Sequence, residues 1–267
     1  MTIVCISSLS DTHGAEIARA TSERLGYAYC DLETAIHEAS ERYGVPEERL
    51  ARACHETPSL FGMQHGTRRR LLAYLQAAVA ARLAADDLVH LGLLARSLAM
   101  GISHMMKVRL VASMEERVAR RVRREQCTER EAERRIRHDD KLEAALARHV
   151  YGHGELQDTY FDLVIDTSAV DVEQAVTTIV DTARQPRYQS MTYSVACMRD
   201  IELASRLRAE LVDLDPDVEV EARGGAVRVR LRDAGRNLQK RQEEAQERAS
   251  KLAGVAHVDV LIMKSPI

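Results

Sequence analysis

Residues 2–18 read Thr2-Ile3-Val4-Cys5-Ile6-Ser7-Ser8-Leu9-Ser10-Asp11-Thr12-His13-Gly14-Ala15-Glu16-Ile17-Ala18. Residues 2–7 are apolar and β-branched, the pattern of a buried strand, and a short Ser/Asp/Thr/Gly stretch follows. From Gly14, Ala15, Ile17, Ala18, Ala20 and Leu25 recur at helical spacing up to Gly26, a glycine stop. Strand, polar loop and helix in this order open an α/β sheet, and the rest of the N-terminal region continues it. Tyr27–Cys30 is a second short strand ending at Asp31, and a helix over about 31–43 closes at Gly44 and Pro46. A helix over 67–84 leads to a third strand, Leu88–Gly92; Lys107–Ala112 is a fourth, and Phe161–Thr167 a fifth before a helix over 172–183. Strands alternating with helices predict a parallel five-stranded sheet covered on both faces. Ligands of such sheets bind beyond the carboxyl ends of the strands, an edge that here collects the 8–14 loop, Asp31, Gly92 and the 112–116 turn.

The pattern changes at Gln185-Pro186-Arg187-Tyr188-Gln189-Ser190, which reads as a linker. Beyond it the spacing predicts a strand near Met191–Cys197, a helix near Arg199–Leu214 and a strand Val218–Ala222. A Gly224-Gly225 turn leads into Ala226–Leu231, followed by a helix around Arg236–Leu252 and a last strand Ala256–Met263. The expected organisation is therefore an α/β domain over 1–184, a linker over 185–190, and a small α+β domain over 191–267 ordered β-α-β-β-α-β. In the last hairpin Val227, Val229 and Leu231 share one face, while Arg228, Arg230 and Arg232 share the other, opposite Glu219 and Glu221. Cross-strand ion pairing is the expected role of that arginine row.

Composition narrows the function classes. The 267 residues are 45% hydrophobic, enough for real cores, yet carry eight Tyr, two Phe and no Trp. So few rings argue against a single-stranded nucleic-acid platform, and a net charge of −3 supplies no basic field for nucleic acid. Cys5, Cys30, Cys54, Cys127 and Cys197 are scattered and contain no C-x-x-C pair, so neither a disulfide framework nor a cysteine metal site is expected. No stretch approaches ~18 apolar residues, so the expectation is a cytoplasmic chain with no membrane span. His149-x-x-x-His153 lacks the Glu of a zinc-protease helix, and Cys54-His55 is no more than a sequence neighbour pair.

A loop between a first strand and its helix is where phosphates meet backbone N–H groups and the helix dipole. The P-loop motif, G-x-x-x-x-G-K-[ST], adds a Lys for the transferred phosphate and a hydroxyl for Mg²⁺. Over Leu9–Glu16 only Gly14 fits: Leu9 replaces the leading glycine, Ala15 stands at the lysine and Glu16 at the hydroxyl. On the motif alone a structural turn and a phosphate loop both remain open. Asp31 likewise has two readings, a substrate or Mg²⁺ contact and a cap on the following helix. So has 115–149, with eleven Lys/Arg against nine Asp/Glu: a solvated helix pair or an arginine-bearing lid.

Residues 1–184 resemble the cytidylate kinase-like family of P-loop nucleotide kinases. The resemblance rests on Asp11-Thr12-His13-Gly14-Ala15-Glu16-Ile17-Ala18 against a G-S-G-G-R-E-I-A loop, on Tyr29-Cys30-Asp31, and on His90-Leu91-Gly92-Leu93-Leu94-Ala95 against V-G-R-G-A. It rests further on Glu131–Asp140 against a lid of the type E-A-x-x-R-I-x-x-x-D, and on Asp162-Leu163-Val164-Ile165-Asp166-Thr167-Ser168. It implies a P-loop kinase-like fold with a helical lid over about 115–150, ATP and Mg as possible cofactors, and a nucleotide or phosphorylated small molecule as ligand. Ser8, Ser10, Asp11, Thr12, His13, Gly14, Ala15 and Glu16 would form the binding loop, and Asp31, Arg137 and Arg148 the catalytic set, with no resident protein-bound metal. Two family glycines are Asp11 and His13 here, the loop's basic residue is Ala15, the Arg after the third-strand glycine is Leu93, and a lid arginine is Glu143. Phosphoryl transfer rests on positioning and charge neutralisation, so these departures imply weak or lost catalysis, a pseudokinase with a regulatory or sensing role. The alternatives are an active ATP-dependent kinase drawing cations from Arg137, Arg148 or Arg96, and a scaffold whose loop is filled by its own side chains. Residues 199–263 resemble a BON domain through Val218–Glu221, Gly224–Leu231 and Gly254-Val255-Ala256-His257-Val258; its partner is unspecified.

Overall fold

The structure is a computed structural model describing residues 2–55, 63–85, 87–98, 102–151, 160–233 and 237–263. The chain forms two compact units, each assembled from two segments: 1–34 with 85–191, and 35–84 with 192–267.

In the first unit β1 (Ile3–Ser8), β2 (Ala28–Cys30), β3 (Leu88–Leu91), β4 (Met105–Val111) and β5 (Leu163–Asp166) form one sheet. Its order is β2-β3-β1-β4-β5, and every neighbouring pair is parallel. Ile3, Val4, Cys5 and Ile6 are all buried, as a central parallel strand covered on both faces requires. Helix α1 (Gly14–Leu25) packs on α8 (Val172–Ala183). Ile17, Val176, Ile179 and Val180 join Val4, Ile6, Val108 and Leu110 in one core, each such side chain contributing about 1.5–3 kcal/mol of burial. Asp171 caps α8, its carboxylate accepting from Gln174 N–H at 2.8 Å. Between β4 and β5 run α6 (Met114–Glu125) and α7 (Glu129–Tyr151), packed on each other where the sequence predicts a helical lid. The parallel arrangement brings Ser8, Cys30, Leu91, Val111 and Asp166 to one edge of the sheet.

The second unit combines most of α2 (Leu32–Tyr43), α3 (Glu47–His55) and α4 (His65–Ala84) with α9 (Thr192–Leu211), α10 (Leu238–Lys251) and a smaller sheet. That sheet orders β6 (Glu219–Arg223), β7 (Ala226–Arg232) and β8 (His257–Met263), with β6–β7 antiparallel and β7–β8 parallel. Val227, Val229 and Leu231 face a core shared with Leu207, Leu211, Ala245 and Ala249. The hairpin turns at Gly224 and Gly225, with φ of 57° and 83°, the left-handed pair that the glycine dipeptide predicts. Arg230 pairs across the hairpin with Glu221 at 2.7 Å, and Arg228 with Asp259 at 3.4 Å, so the arginine row is an ion-pair ladder.

Three expectations need correction. Met191–Cys197 is not a strand: the helix α9 begins at Thr192, so the C-terminal order is α-β-β-α-β. Buried Ser194, Met198, Leu203, Leu207 and Leu211 recur every four or five residues, with Ala209 also buried, and no strand-like alternation exists to bury Val195 or Cys197. The segment 185–190 is no free linker either. It makes a 3₁₀ turn over Pro186–Tyr188, buries Tyr188 in the first unit's core, and accepts a bond from Thr2 Oγ1 on Tyr188 O at 2.8 Å. Finally, the compact units are not the successive stretches 1–184 and 191–267. Residues 35–84 belong with the C-terminal segment because α4 packs along α9 and contributes Ala73 to the second core.

Gly14 is the loop position least able to change: a Cβ there would overlap Ser8 Oγ and approach Ser8 Cβ to 2.7 Å. Gly14→Ala is expected to destabilise the chain by about 1–3 kcal/mol in urea unfolding, and a cost below about 0.5 kcal/mol would contradict this packing.

Candidate phosphate-binding site

The β1–α1 loop turns through two left-handed residues that are not glycine. Asp11 and His13 both adopt left-handed conformations, at φ 60° and 58°, where L-residues are uncommon and Asp and His are among the better tolerated. His13 is the N-cap residue of α1 but gives it no side-chain cap; its ring Nδ1 lies 2.9 Å from Glu16 Oε2 instead. The first-turn N–H groups of α1 therefore remain available to an anion. Thr12 is buried, its hydroxyl donating to Leu9 O at 2.7 Å with Ser8 Oγ 3.2 Å away, which braces the loop from within. Ser7 Oγ, one residue before the end of β1, is buried with no hydrogen-bond partner among the described residues. Ala15 and Glu16 are exposed.

Four arginines of α6 close on this loop. Arg117, Arg120, Arg121 and Arg124 follow i, i+3, i+4, i+7 spacing, so they share one helix face. Ser113 starts that helix as a cap, accepting from Glu116 N–H at 3.2 Å. Arg117 donates to Ser10 O at 2.8 Å and Ser10 Oγ at 2.9 Å, and Arg120 to Asp11 O at 3.1 Å. The Asp11 carboxylate, 1% exposed, is held by Arg121 Nη2 at 2.7 Å and Arg124 Nη1 at 2.7 Å. Helix α7 supplies the counter-charges: Asp139 to Arg121 at 2.7 Å, and Asp140 to Arg117 in a fork of 3.1 and 2.5 Å. Burial works against Arg121's charge, but its bonds to Asp11 and Asp139 outweigh that and hold its pKa above the ordinary value. An open cleft of about 440 Å³ lies beside Asp11 and His13, bordered by Arg120, Arg123 and Arg124.

The residues expected to be catalytic do not assemble here. Arg137 is exposed and pairs with Glu133 of its own helix at 2.6 Å, and Arg148 is also exposed; neither is bonded to the loop among the described contacts. The side chains of Arg96 and of the His149–His153 pair fall outside the described residues. Asp31 is a helix cap, accepting from Thr34 N–H and Thr34 Oγ1 at 2.9 Å each. Burial pulls its carboxyl upward, yet the Thr34 bonds prevail and leave it below the usual range. Glu143 of α7 pairs at 2.8 Å with Arg109 of β4. Cys54 is buried, and burial pushes its thiol up to about 12, with only a smaller opposing pull from Arg68, which disfavours the thiolate. Among the described residues no group of three or more His, Cys, Asp or Glu is placed to hold a metal. Nor, among them, is any helix long and apolar enough to cross a membrane. The sequence reading missed the α6 arginines; their helical spacing was visible, but charge alone did not distinguish it from a solvated face.

The cytidylate kinase-like family matches residues 3–169. This chain belongs to the cytidylate kinase-like family. A cytidylate kinase of Methanopyrus kandleri is 27% identical over 171 residues, covering 62% of this chain and 84% of that one. An uncharacterized protein of Eubacterium ventriosum matches in fold with a TM-score of 0.53 at 14% identity, over 68% of this chain and 97% of that one. A shikimate kinase of Bacteroides thetaiotaomicron has a TM-score of 0.43 at 12% identity, over 69% and 99%. The family membership and the parallel sheet place this cytidylate kinase-like chain on a nucleotide-binding kinase fold.

Behind the loop, His90 of β3 is wholly buried, and desolvation lowers its pKa to about 4 against a smaller upward pull from Asp31. The unfolded chain takes a proton near 6.5 that the folded chain refuses until about 4, so stability falls as pH drops through that window. The loss is on the order of 3 kcal/mol. Below it, protonation of the Asp31 cap removes more. Urea unfolding across pH 7 to 4 is expected to show this decline, and a His90→Gln variant to flatten its upper part; an unchanged slope in the variant would refute the assignment.

Proposed function

We propose that this chain binds a nucleotide or phosphorylated small molecule at the 8–16 loop, transfers phosphoryl groups weakly or not at all, and works as a cytoplasmic regulator or sensor. One observation carries the reading: the Asp11 carboxylate sits in the grip of Arg121 and Arg124. Cations that would neutralise phosphate charge are occupied by an anion of the loop itself. The family implies ATP with Mg, and the residues fit it only in part. The uncapped first turn of α1, with Arg123 bordering the same cleft, suits phosphate oxygens. Ala15 offers no ammonium and Glu16 no hydroxyl, so the metal and the transferred phosphate lack their usual partners. Losing one preorganised donor of this kind costs about 10²–10³ in rate.

The second reading, an active ATP-dependent kinase, draws on Arg120 and Arg124 as cations from a different helix than expected. Residues 199–263 fit a BON-like module, supported by the Gly224–Gly225 hairpin and its inward Val227, Val229 and Leu231.

Calorimetry with ATP and a coupled assay with nucleoside monophosphates separate these readings. The wild type is expected to turn over at least 10²-fold below the roughly 1–100 s⁻¹ of kinases. Asp11→Gly, which the left-handed backbone accepts, should tighten ATP at least tenfold, and adding Ala15→Lys should raise turnover. Wild-type rates in the ordinary kinase range would refute the proposal.

A further inference from the structure

We infer that the second unit carries an anion site of its own, a cleft that takes a phosphoryl group between Arg208 and Arg69. The cleft, of about 430 Å³, is lined by Arg69, Arg208, Arg230, Arg232, Asp217 and Glu219, with Glu221 at its side. Four guanidiniums thus face three carboxylates, and the carboxylates are unevenly spent. Asp217 serves both Arg69 and Arg232, the latter at 2.5 Å. Glu221 and Glu219 both turn to Arg230, at 2.7 and 3.6 Å. Arg208 is left with one neutral acceptor, Gln76 Oε1, at 2.8 Å, and no carboxylate partner among the described residues.

A half-buried guanidinium without a counter-anion is held at a cost that an incoming anion removes. Burial lowers the Arg208 pKa, the charge of Arg69 lowers it further, and Glu219 offsets this only in part. Arg69 is itself pushed down by burial and by Arg232. The fork of Arg208, with Arg69 lining the same cleft, suits a tetrahedral dianion, which accepts several N–H bonds at once, better than a single carboxylate. Nothing in this site depends on the 8–16 loop, all of whose residues lie in the other unit.

The test titrates the full-length protein with inorganic phosphate, acetate or a nucleoside monophosphate at constant ionic strength, following heat by calorimetry. Phosphate is expected to bind in the millimolar range, at least tenfold more weakly in Arg208→Gln and about threefold more tightly in Glu219→Gln. A double variant, Arg120→Gln with Arg124→Gln, should leave this binding intact, which separates it from the loop. A nucleoside monophosphate binding tighter than phosphate in that double variant would identify the nucleotide as source, and equal affinity the free ion. Unchanged affinity in Arg208→Gln, acetate binding as well as phosphate, or loss of binding in the Arg120/Arg124 variant would each overturn the site. Should Arg208→Gln lose its circular dichroism spectrum, Glu219→Gln decides: no gain in affinity there refutes the proposal.

Discussion

The ion pair between Arg121 and Asp11 ties together the parts on which the site depends. Arg121 lies on α6, reaches Asp11 in the β1–α1 loop, and holds Asp139 on α7 with the same guanidinium. One nearly buried side chain therefore sets the loop against both lid helices. Removing one member of such a pair leaves a buried charge uncompensated, at a cost of about 3–5 kcal/mol. Arg117 repeats the arrangement one turn earlier, between Ser10 and Asp140. The stripe binds the loop as its ligand.

This bonding explains how the loop holds Asp11 in a left-handed conformation. Asp11 at φ 60° would ordinarily be unfavourable, but its carboxylate is paid for by two arginines and its carbonyl by a third. Asp11 occupies Arg121 and Arg124, and Glu143 satisfies Arg109. The fold is that of the cytidylate kinase-like family, and Arg109, Arg121 and Arg124 each face a carboxylate of the same chain.

Much of this was legible from local pattern. The five strands and α8 follow from β-branched runs and helical spacing, and Gly26, Gly44 and Gly224–Gly225 mark real left-handed turns. The misreadings have physical causes. Met191–Cys197 carries β-favouring residues, but Ser194 and Met198 start a helical stripe whose partner, α4, lies more than a hundred residues away. For the same reason the grouping of 35–84 with the C-terminal segment was invisible, since nothing local reports the packing of α4 on α9. At the site, Arg137 and Arg148 match a lid motif on α7, whereas the arginines that reach the loop, Arg117, Arg120, Arg121 and Arg124, lie on one face of α6, which no motif marks. Asp31 had two readings, and the Thr34 bonds favour the cap.

The most direct test is a cycle in ATP affinity, measured by calorimetry, that combines Asp11→Asn with Arg121→Gln and Arg124→Gln. The account predicts that Asp11→Asn tightens ATP at least tenfold when both arginines are present, and that the gain vanishes when they are replaced. An equal gain without the arginines, or no gain with them, would contradict the claim that the loop's own carboxylate holds the phosphate-binding cations.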